Sequence, residues 1–268
     1  MKVYTFDPHL YLRQIVLVGC GGTGSQLARA VARMIYSMKA VRQSVPRVCF
    51  IDPDVVELPN VGRQLFTHAE VGLHKAEALA RRFNYSLGLS IEWHNEAFDP
   101  RKHIDRNSGT ILLGAVDNHL ARRTLAKTKD ALWIDCGNHR NGGQVVIGNT
   151  NDREAILREL KAADESVRYL PNAALLYPQL LQPEAAQPAD EPDLSCAELA
   201  LQGEQGVLIN GFIASIAAEY LRKLLQRESI STYQTIFAGD VLSMRSTPIT
   251  VANLQADLQS QTASLCAS

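Results

Sequence analysis

The amino-acid sequence predicts an α/β fold with a doubly wound, mostly parallel sheet. An apolar, β-branched run leads into a glycine-rich turn, and a segment with apolar residues at helical spacing follows that turn. Strand-like and helix-like segments then alternate up to about residue 150. The chain has 268 residues, 46% of them hydrophobic, which is sufficient for a sizeable core. Together these features are typical of a Rossmann-like fold.

The first elements define the start of the sheet. Residues 15–19 (IVLVG) predict a strand buried on both faces, and the turn GCGGTGS follows at residues 19–25. Residues 25–41 carry apolar side chains at a helical spacing, and residues 47–52 (RVCFID) predict the next strand. A strand, a glycine turn, a helix and a second strand form the opening unit of a doubly wound sheet.

The middle of the chain continues this alternation. Helices are predicted over residues 74–85 and 119–129, and strands over residues 89–93, 109–118, 131–138 and 144–149. We expect residues 1–163 to form the core that binds the ligand.

The remainder of the chain changes in composition. Five closely spaced prolines and several acidic side chains predict an irregular crossover loop over residues 164–204. Residues 206–226 predict an apolar helix, residues 233–239 and 241–246 predict two strands, and the polar end is expected to fray. We expect residues 205–268 to complete the same domain as a C-terminal helix and β extension.

The glycine turn indicates a phosphate site. Because Gly19, Gly21, Gly22 and Gly24 lack side chains, the backbone can approach a diphosphate, and the next helix offers free N–H groups at its N-terminus. The G-x-G-x-x-G spacing within the turn fits NAD as well as ATP. The turn alone therefore predicts a nucleotide without specifying which.

The strand after the first helix ends in two aspartates, Asp52 and Asp54. A carboxylate at this position commonly binds a ribose hydroxyl, which favours Asp52 as the ribose ligand. Asp54 is either a second contact to the nucleotide or a residue that caps the turn before Val55.

Cationic and amide side chains follow in a loop. Asn60, Arg63 and Gln64 precede Lys75, which lies near the start of a predicted helix. Two cations near a glycine turn suit a triphosphate because they neutralise charge that moves during nucleotidyl transfer. A hydride-transfer enzyme has no such need beyond the diphosphate, although an NAD(P)-binding oxidoreductase remains the alternative interpretation.

Four ordered motifs resemble the ThiF/MoeB/ubiquitin-activating (E1-like) superfamily, namely GCGGTGS, IDPDVVELPNVGRQLF, VGLHKAEAL and GAVDNHLARRTL. The resemblance covers residues 15–148 and is weaker for SCAELALQ and the helix after it. The NVGRQ and GGTGS forms are most similar to the ThiF-like proteins of plasmid-borne PRTRC systems. The resemblance implies an adenylyltransferase that uses ATP and Mg²⁺ to activate the C-terminal carboxylate of a small ubiquitin-like or sulfur-carrier-like protein.

The resemblance also implies roles for individual residues. The four glycines would cradle the phosphates, Asp52 would hold the ribose, Asn60, Arg63 and Lys75 would contact the triphosphate, Asp117 would bind Mg²⁺, and Asn118 and Arg122 would support the pocket. Arg63, Lys75 and Asp117 are thus the expected catalytic residues. Asp117 follows a buried strand, where ligands bind in α/β folds, but it could instead cap the helix over residues 119–129.

A thioester-forming cysteine is a further expectation from the resemblance. In several relatives a cysteine before the last large helix accepts the acyl group, and Cys196 lies at the matching place. The neighbouring Asp193 and Glu198 would raise the pKa of its thiol, which opposes a reactive thiolate. Cys196 is therefore either this acceptor or an inert loop cysteine. The other cysteines beside strands are predicted to be buried, namely Cys20, Cys49 and Cys136.

Composition limits the remaining function classes. The net charge of −1 argues against sequence-independent nucleic-acid binding, and no apolar run approaches the ~20 residues that span a membrane. The start of the sequence lacks a secretory signal, so the cytoplasm is the expected compartment. The sequence contains no CxxC pair, so no zinc site is expected, and its histidines, His103 among them, predict surface or loop positions. The resemblance implies a homodimer and a β-grasp partner with a glycine-rich C-terminus.

Overall fold

The structure is a computed structural model, which describes residues 2–8, 11–105, 109–129, 131–139, 141–183 and 207–265. No helix in these ranges is both long enough and apolar enough to cross a lipid bilayer. The residues outside these ranges include Cys196, so the expectation for that thiol lies outside the described residues.

The centre of the molecule is an eight-stranded sheet. Its strands are β2 (Leu12–Val18), β3 (Arg47–Ile51), β4 (Glu92–His94), β5 (Gly109–Gly114), β6 (Ala131–His139), β7 (Gly142–Gly148), β9 (Thr232–Ala238) and β10 (Ser243–Pro248). They lie in the order β10-β9-β7-β6-β5-β2-β3-β4. A separate parallel pair joins β1 (Thr5–Phe6) to β8 (Ser166–Val167).

One half of the large sheet is parallel. Strand β2 pairs in parallel with both β3 and β5, and β4 and β6 extend this half on either side. The chain therefore builds outward from β2 to β4, returns, and builds from β5 to β6 in the other direction. This confirms the doubly wound prediction and puts the switch point between β2 and β5, where α/β folds bind ligands. Strands β7, β9 and β10 continue the sheet in antiparallel fashion.

Helices cover the faces of the sheet. They are α1 (Gly22–Ala40), α2 (Lys75–Leu87), α3 (Pro100–His103), α4 (His119–Ala126), α5 (Arg153–Ala162), α6 (Ala173–Leu176), α7 (Val207–Leu225) and α8 (Val251–Leu265), with short 3₁₀ turns at Leu58–Asn60, His68–Glu70 and Pro178–Leu181. On α1, Leu27, Val31 and Ile35 repeat every four residues and are buried. Their stripe fixes the helix on the sheet, so its first turn faces the switch point.

Two expectations about the C-terminal third are wrong within the described residues. The polar end was expected to fray, but α8 spans Val251–Leu265, because Leu254 and Leu258 are one helical turn apart and are fully buried. The crossover from residue 164 was expected to be irregular, but residues 164–183 contain β8, α6 and a 3₁₀ turn. Its prolines lie at the edges of these short elements, where a missing N–H is tolerated.

The expectation for His103 is also wrong. Its side chain is buried, the imidazole Nδ1 accepts the Asp99 N–H at 3.0 Å, and Nε2 lies 3.0 Å from the Glu96 carboxylate. The ring also stacks on Phe98. His103 is the last residue of the four-residue helix α3, which brings its ring against Phe98. This packing depends on the fold of the whole segment, and no sequence pattern indicates it.

Candidate functional site

A cavity of about 350 Å³ opens at the carboxyl ends of β2, β3, β5 and β6, a volume typical of small-molecule sites. The walls include many of the residues that the sequence singled out, namely Gly19, Gly21, Gly22, Asp52, Asp54, Arg63, Gln64, Lys75, Asp117 and Asn118. The fold therefore gathers residues from four separate sequence motifs at one site. Gly24 and Asn60 are not among the cavity walls.

The shape of the glycine turn depends on the backbone conformation of Gly19 and on a close approach at Gly24. Gly19 has a φ of +88°, a conformation that side chains strongly disfavour. A Cβ at Gly24 would lie 1.9 Å from the Gly19 carbonyl oxygen, so Gly24 lets the first turn of α1 pack on the end of β2. Gly24 thus has a packing role below the cavity, and its expected contact with a phosphate stays a prediction.

The first turn of α1 is open to an anion. The helix begins at Gly22 after Gly21, no side chain caps its free N–H groups, and no acidic residue lies in its first turn. A Cβ at Gly21 would meet no protein atom within 4 Å, so this position faces open space on the cavity wall. Free N–H groups and the positive end of the helix dipole make such a position favourable for phosphate oxygens.

Asp52 connects β3 to the glycine turn. One carboxylate oxygen accepts the Cys20 N–H at 2.5 Å and the other accepts the Asp54 N–H at 2.8 Å. Burial raises the pKa of Asp52, and the two backbone donors and Lys75 oppose this shift. Each oxygen keeps a free lone pair, so Asp52 can hold the turn in place and still accept hydrogen bonds from a ligand's hydroxyl groups.

Lys75 and Asp54 form an ion pair on the cavity wall. The Lys75 ammonium lies 2.9 Å from the Asp54 carboxylate; the Lys75 side chain is 10% exposed and that of Asp54 is 64% exposed. The Lys75 N–H also donates to the Asp54 carbonyl. The structure therefore adds a third interpretation of Asp54 to the two that the sequence offered. In this interpretation the Asp54 carboxylate orients the buried ammonium group of Lys75 toward the cavity.

The loop that carries Arg63 and Gln64 is tied to the first turn of α1. The Ser25 hydroxyl accepts the Leu65 N–H at 3.1 Å, and the Arg82 guanidinium donates to the Leu65 carbonyl at 2.8 Å. Arg63 Nε and Gln64 Oε1 are both buried and have no hydrogen-bond partner in the structure. Buried polar atoms in proteins are nearly always paired, so these two atoms indicate a site that a polar ligand completes.

Asn60 has a structural role in the same loop. Its buried side chain accepts the Glu57 N–H at 2.9 Å and closes the 3₁₀ turn at Leu58–Asn60. This fixes the start of the segment that leads to Arg63. A direct contact between Asn60 and a triphosphate stays a prediction.

Asp117 and Asn118 have different roles. The helix α4 is capped by Asn118, whose side-chain oxygen accepts the Ala121 N–H at 2.8 Å. The capping interpretation of Asp117 is therefore wrong, because its neighbour already fills that position. The Asp117 carboxylate is exposed on the cavity wall and hydrogen-bonds to no other described residue, so it is free to bind a cation.

Behind the cavity, Arg122 meets Asp135 in the middle of β6. The guanidinium Nε lies 3.6 Å from the Asp135 carboxylate, and Arg122 also donates to the Cys136 carbonyl. Burial raises the pKa of Asp135 to about 6, against the opposing charge of Arg122. The separation is too long for a normal hydrogen bond, so the pair acts mainly through charge. It connects α4, and hence Asp117, to β6.

Several cavity residues escaped the sequence analysis. Phe98 and Ala97 follow β4 and form one side of the cavity, while Thr23, Asn138 and Asn210 form the opposite side. Asn138 is the last residue of a predicted strand, a position that could have been noticed. Asn210 lies within an apolar helix, where a single amide gives little signal.

The described residues contain one further group that could hold a metal. His94, Glu96 and His103 bring three ligand atoms within 4.8 Å of one another. Nδ1 of His103 accepts a backbone N–H, so its proton resides on Nε2, which donates to Glu96. The lone pair that a metal needs on Nε2 is therefore absent. This cluster is best explained as a hydrogen-bonded support for Phe98.

The three cysteines beside strands are buried and free, as predicted. Burial raises the pKa of the Cys20, Cys49 and Cys136 thiols. A raised pKa disfavours the thiolate that acyl transfer requires. These three cysteines are therefore unsuited to accept an acyl group.

The doubly wound sheet is that of the ThiF/E1-like class of α/β proteins. The ThiF family model matches residues 9–262, and the chain belongs to the ThiF family. It is 29% identical over 146 residues to ubiquitin-like modifier-activating enzyme 5 of Drosophila ananassae, a match that covers 48% of this chain and 35% of the relative. The same enzyme of Drosophila willistoni is 30% identical over 146 residues, covering 48% of this chain and 34% of the relative.

Solved structures share this fold. PaaA superposes with a TM-score of 0.54 at 15% identity, covering 88% of this chain and 64% of that protein. Escherichia coli MccB, crystallised with ATP, gives a TM-score of 0.51 at 15% identity and the same coverage. The chain thus spans about a third of the curated relatives it matches and less than two thirds of these structures.

Proposed function

We propose that this protein uses ATP to convert the C-terminal carboxylate of a peptide or small ubiquitin-like protein into an acyl-adenylate. The observation that carries the proposal is the meeting of Arg63 and Lys75 with the uncapped N-terminus of α1 on one cavity. Membership of the ThiF family supports the proposal. Two similar proteins also support it, since one is named a ubiquitin-like modifier-activating enzyme and the other, MccB, was crystallised with ATP.

The reaction asks little of the protein as an acid or base. The substrate carboxylate is ionised at neutral pH, and one of its oxygens attacks the α-phosphorus of ATP. A carboxyl oxygen–phosphorus bond forms while the bond from the α-phosphorus to the bridging oxygen breaks, and pyrophosphate leaves with that electron pair. Catalysis therefore depends on alignment and on stabilising the charge of the leaving group.

The cavity offers groups for each part of ATP. Asp52 would accept the ribose hydroxyls, and the N–H groups of α1 would bind the phosphates. Arg63 and Lys75 would neutralise the departing pyrophosphate. Removal of one such contact typically costs about 3 kcal/mol in the transition state, or on the order of a hundredfold in rate.

Asp117 is the residue that would hold Mg²⁺. Its carboxylate is a hard oxygen ligand, is exposed on the cavity wall, and is not used to cap α4. The ion would supply charge neutralisation for the phosphate oxygens. Asn118 would keep Asp117 in position by capping the helix that begins beside it.

The direct test is ATP–pyrophosphate exchange with a carboxylate substrate. We expect Arg63→Ala and Asp117→Ala to abolish exchange while the protein stays folded, and we expect Arg158→Ala to be unchanged. Arg158 is a suitable control because it is an exposed arginine on α5 that does not line the cavity. Exchange at near wild-type rates in both cavity variants would contradict the proposal.

A thermal-shift measurement separates the proposal from an NAD(P)-dependent oxidoreductase. A ligand that binds only the folded state stabilises it by RT ln(1 + [L]/Kd) and therefore raises the Tm. We expect ATP with Mg²⁺ to raise the Tm and NAD to have little effect. The reverse result would favour the oxidoreductase.

Transfer of the acyl group to Cys196 and membership of the PRTRC-associated subfamily stay predictions. Burial disfavours Cys20, Cys49 and Cys136 as acceptors, and the family resemblance is what makes Cys196 the candidate. Cys196→Ala should abolish a reducible acyl-enzyme adduct but leave pyrophosphate exchange intact. An unchanged adduct would assign the acyl group to another residue.

A further inference from the structure

Three uncharged polar side chains form a cluster at the β6 end of the cavity. The Thr23 hydroxyl donates to the Asn210 side-chain oxygen at 3.0 Å, and the Asn138 amide nitrogen donates to Thr23 at 3.2 Å and also to the Asn210 oxygen. These residues come from α1, β6 and α7, and all three line the cavity. Nothing in the proposed handling of ATP uses this cluster.

The cluster keeps unused hydrogen-bonding capacity. The Asn210 side-chain nitrogen donates to no atom in the described part of the chain, and the Asn138 side-chain oxygen accepts from none there. Asn210 is only 3% exposed, and its nitrogen lies against Gly22, where a Cβ would come within 2.5 Å of it. The Asn210 nitrogen thus lies against the glycine turn, and the Asn138 oxygen is left as an uncharged acceptor on the cavity wall. A backbone N–H that is buried at this wall needs such an acceptor.

The order of the strands places this cluster at one end of the site. Along the carboxyl edge, Asp52 follows β3, the glycine turn follows β2, Asp117 follows β5, and Asn138 lies at the end of β6. If Asp52 holds the ribose and the turn holds the phosphates, the nucleotide occupies the β3 and β2 side. The stretch of cavity beyond Asp117 is then left for the molecule that carries the carboxylate.

We propose that the Asn138 side-chain oxygen accepts the N–H of the last peptide bond of the carboxylate substrate. Thr23 and Asn210 accept hydrogen bonds from the Asn138 side-chain nitrogen, so the Asn138 oxygen is the atom that stays available to the substrate. The terminal carboxylate is thereby held beside the α-phosphorus. Asn138 acts as a positioning residue, and it recognises the backbone of the tail rather than the charge of its side chains. This inference rests on the proposed adenylation.

The proposal predicts that the wild-type protein prefers a peptide with an amide at its last bond to the same peptide with an ester there. A synthetic peptide that ends in Gly-Gly should support pyrophosphate release. The same peptide with its last amide replaced by an ester has no N–H to donate and should react about tenfold more slowly in kcat/KM, the loss expected for one hydrogen bond. A peptide whose last residue is N-methylated should lose activity at least as strongly.

The variants identify the partner of that N–H. In Asn138→Ala the difference between the amide and ester peptides should shrink to less than about twofold, because the acceptor is already missing. Asn210→Ala removes an acceptor that holds the Asn138 side-chain nitrogen, so it should raise the KM for the amide peptide and reduce, without abolishing, the difference between the amide and ester peptides. Asn151→Ala is the matched control, an exposed asparagine outside the cavity, and should keep the full tenfold difference.

Failure of this inference is distinguishable from failure of the proposed function. A wild-type protein whose Tm is not raised by ATP and Mg²⁺, or that releases no pyrophosphate with the Gly-Gly peptide, would refute the proposed adenylation and the inference with it. A protein that releases pyrophosphate with the Gly-Gly peptide but treats the amide and ester peptides alike would overturn only the role of Asn138. Since the wild-type comparison decides this, a poorly folded variant does not remove the test.

Discussion

Gly21→Ala separates ligand binding from folding at the glycine turn. A Cβ at Gly21 meets no protein atom within 4 Å. Alanine is a poorer N-cap than glycine by up to about 1 kcal/mol, and the Gly21 backbone, with φ −75° and ψ −143°, lies outside the α and β regions that a residue with a Cβ prefers. We therefore expect the free energy of unfolding to fall by about 1–3 kcal/mol and the Tm by up to about 10 °C.

Gly21→Ala should also weaken the binding of ATP, which is measured separately from the Tm. The added methyl group stands on the cavity wall beside the free N–H groups of α1, where a phosphate oxygen must come within hydrogen-bonding distance. Loss of one hydrogen bond to a charged group costs about 1.5–3 kcal/mol, or roughly a tenfold to hundredfold rise in Kd. Isothermal titration with ATP and Mg²⁺ measures this Kd, and thermal unfolding without ligand measures the Tm.

Gly24→Ala is the contrasting variant. Its Cβ would lie 1.9 Å from the backbone oxygen of Gly19, which cannot move without displacing β2 or α1. We expect this variant to be strongly destabilised and poorly soluble.

If Gly21→Ala binds ATP as tightly as the wild-type protein, the phosphates do not bind at the start of α1, and the proposed site is wrong.

Three further predictions concern the supports of the cavity. Ser25→Ala removes the acceptor of the Leu65 N–H and should raise the KM for ATP several-fold with a loss of stability near 1 kcal/mol; an unchanged KM would show that the loop needs no such tie. Asn118→Ala removes the cap of α4 and should lower the free energy of unfolding by about 1 kcal/mol, measured by urea denaturation, and a loss of exchange activity should accompany it. Because burial raises the pKa of Asp135 from 3.8 to about 6, the folded state binds a proton between these values that the unfolded state does not. The stability of the wild-type protein relative to Asp135→Asn should then fall as the pH rises from about 4 to 7, by up to roughly 3 kcal/mol; a rise would contradict the assigned environment.

The sequence predicted the parts of this protein that depend on local pattern. An apolar run, a glycine turn and a helical stripe are each readable within about 20 residues, and the strands and helices from β2 to β7, apart from the short helix α3, followed from such patterns. Asp52 and Asp117 were found because a polar residue directly after a buried strand must lie at the sheet edge where ligands bind. The bounds of most predicted elements differ from the structure by only a few residues, since helix and strand ends depend on weak local preferences.

Contacts between distant segments were beyond the reach of the sequence. Asn138 and Asn210 are 72 residues apart, and Thr23 and Asn210 are 187 residues apart. Helix α8 was missed because its two buried leucines are separated by polar residues, and only the surface beneath them defines the helix face.

The sequence by itself thus determined the half of the cavity that we propose binds ATP, since glycines, aspartates and cations at fixed spacing limit the backbone and the charge directly. Only the tertiary structure decided that Asp54 orients Lys75, that Asn118 rather than Asp117 caps α4, and that two asparagines face the other half of the cavity. The physical reason is that a hydrogen bond or ion pair needs its two groups within a few ångströms, and the packing of the sheet and helices alone sets that distance.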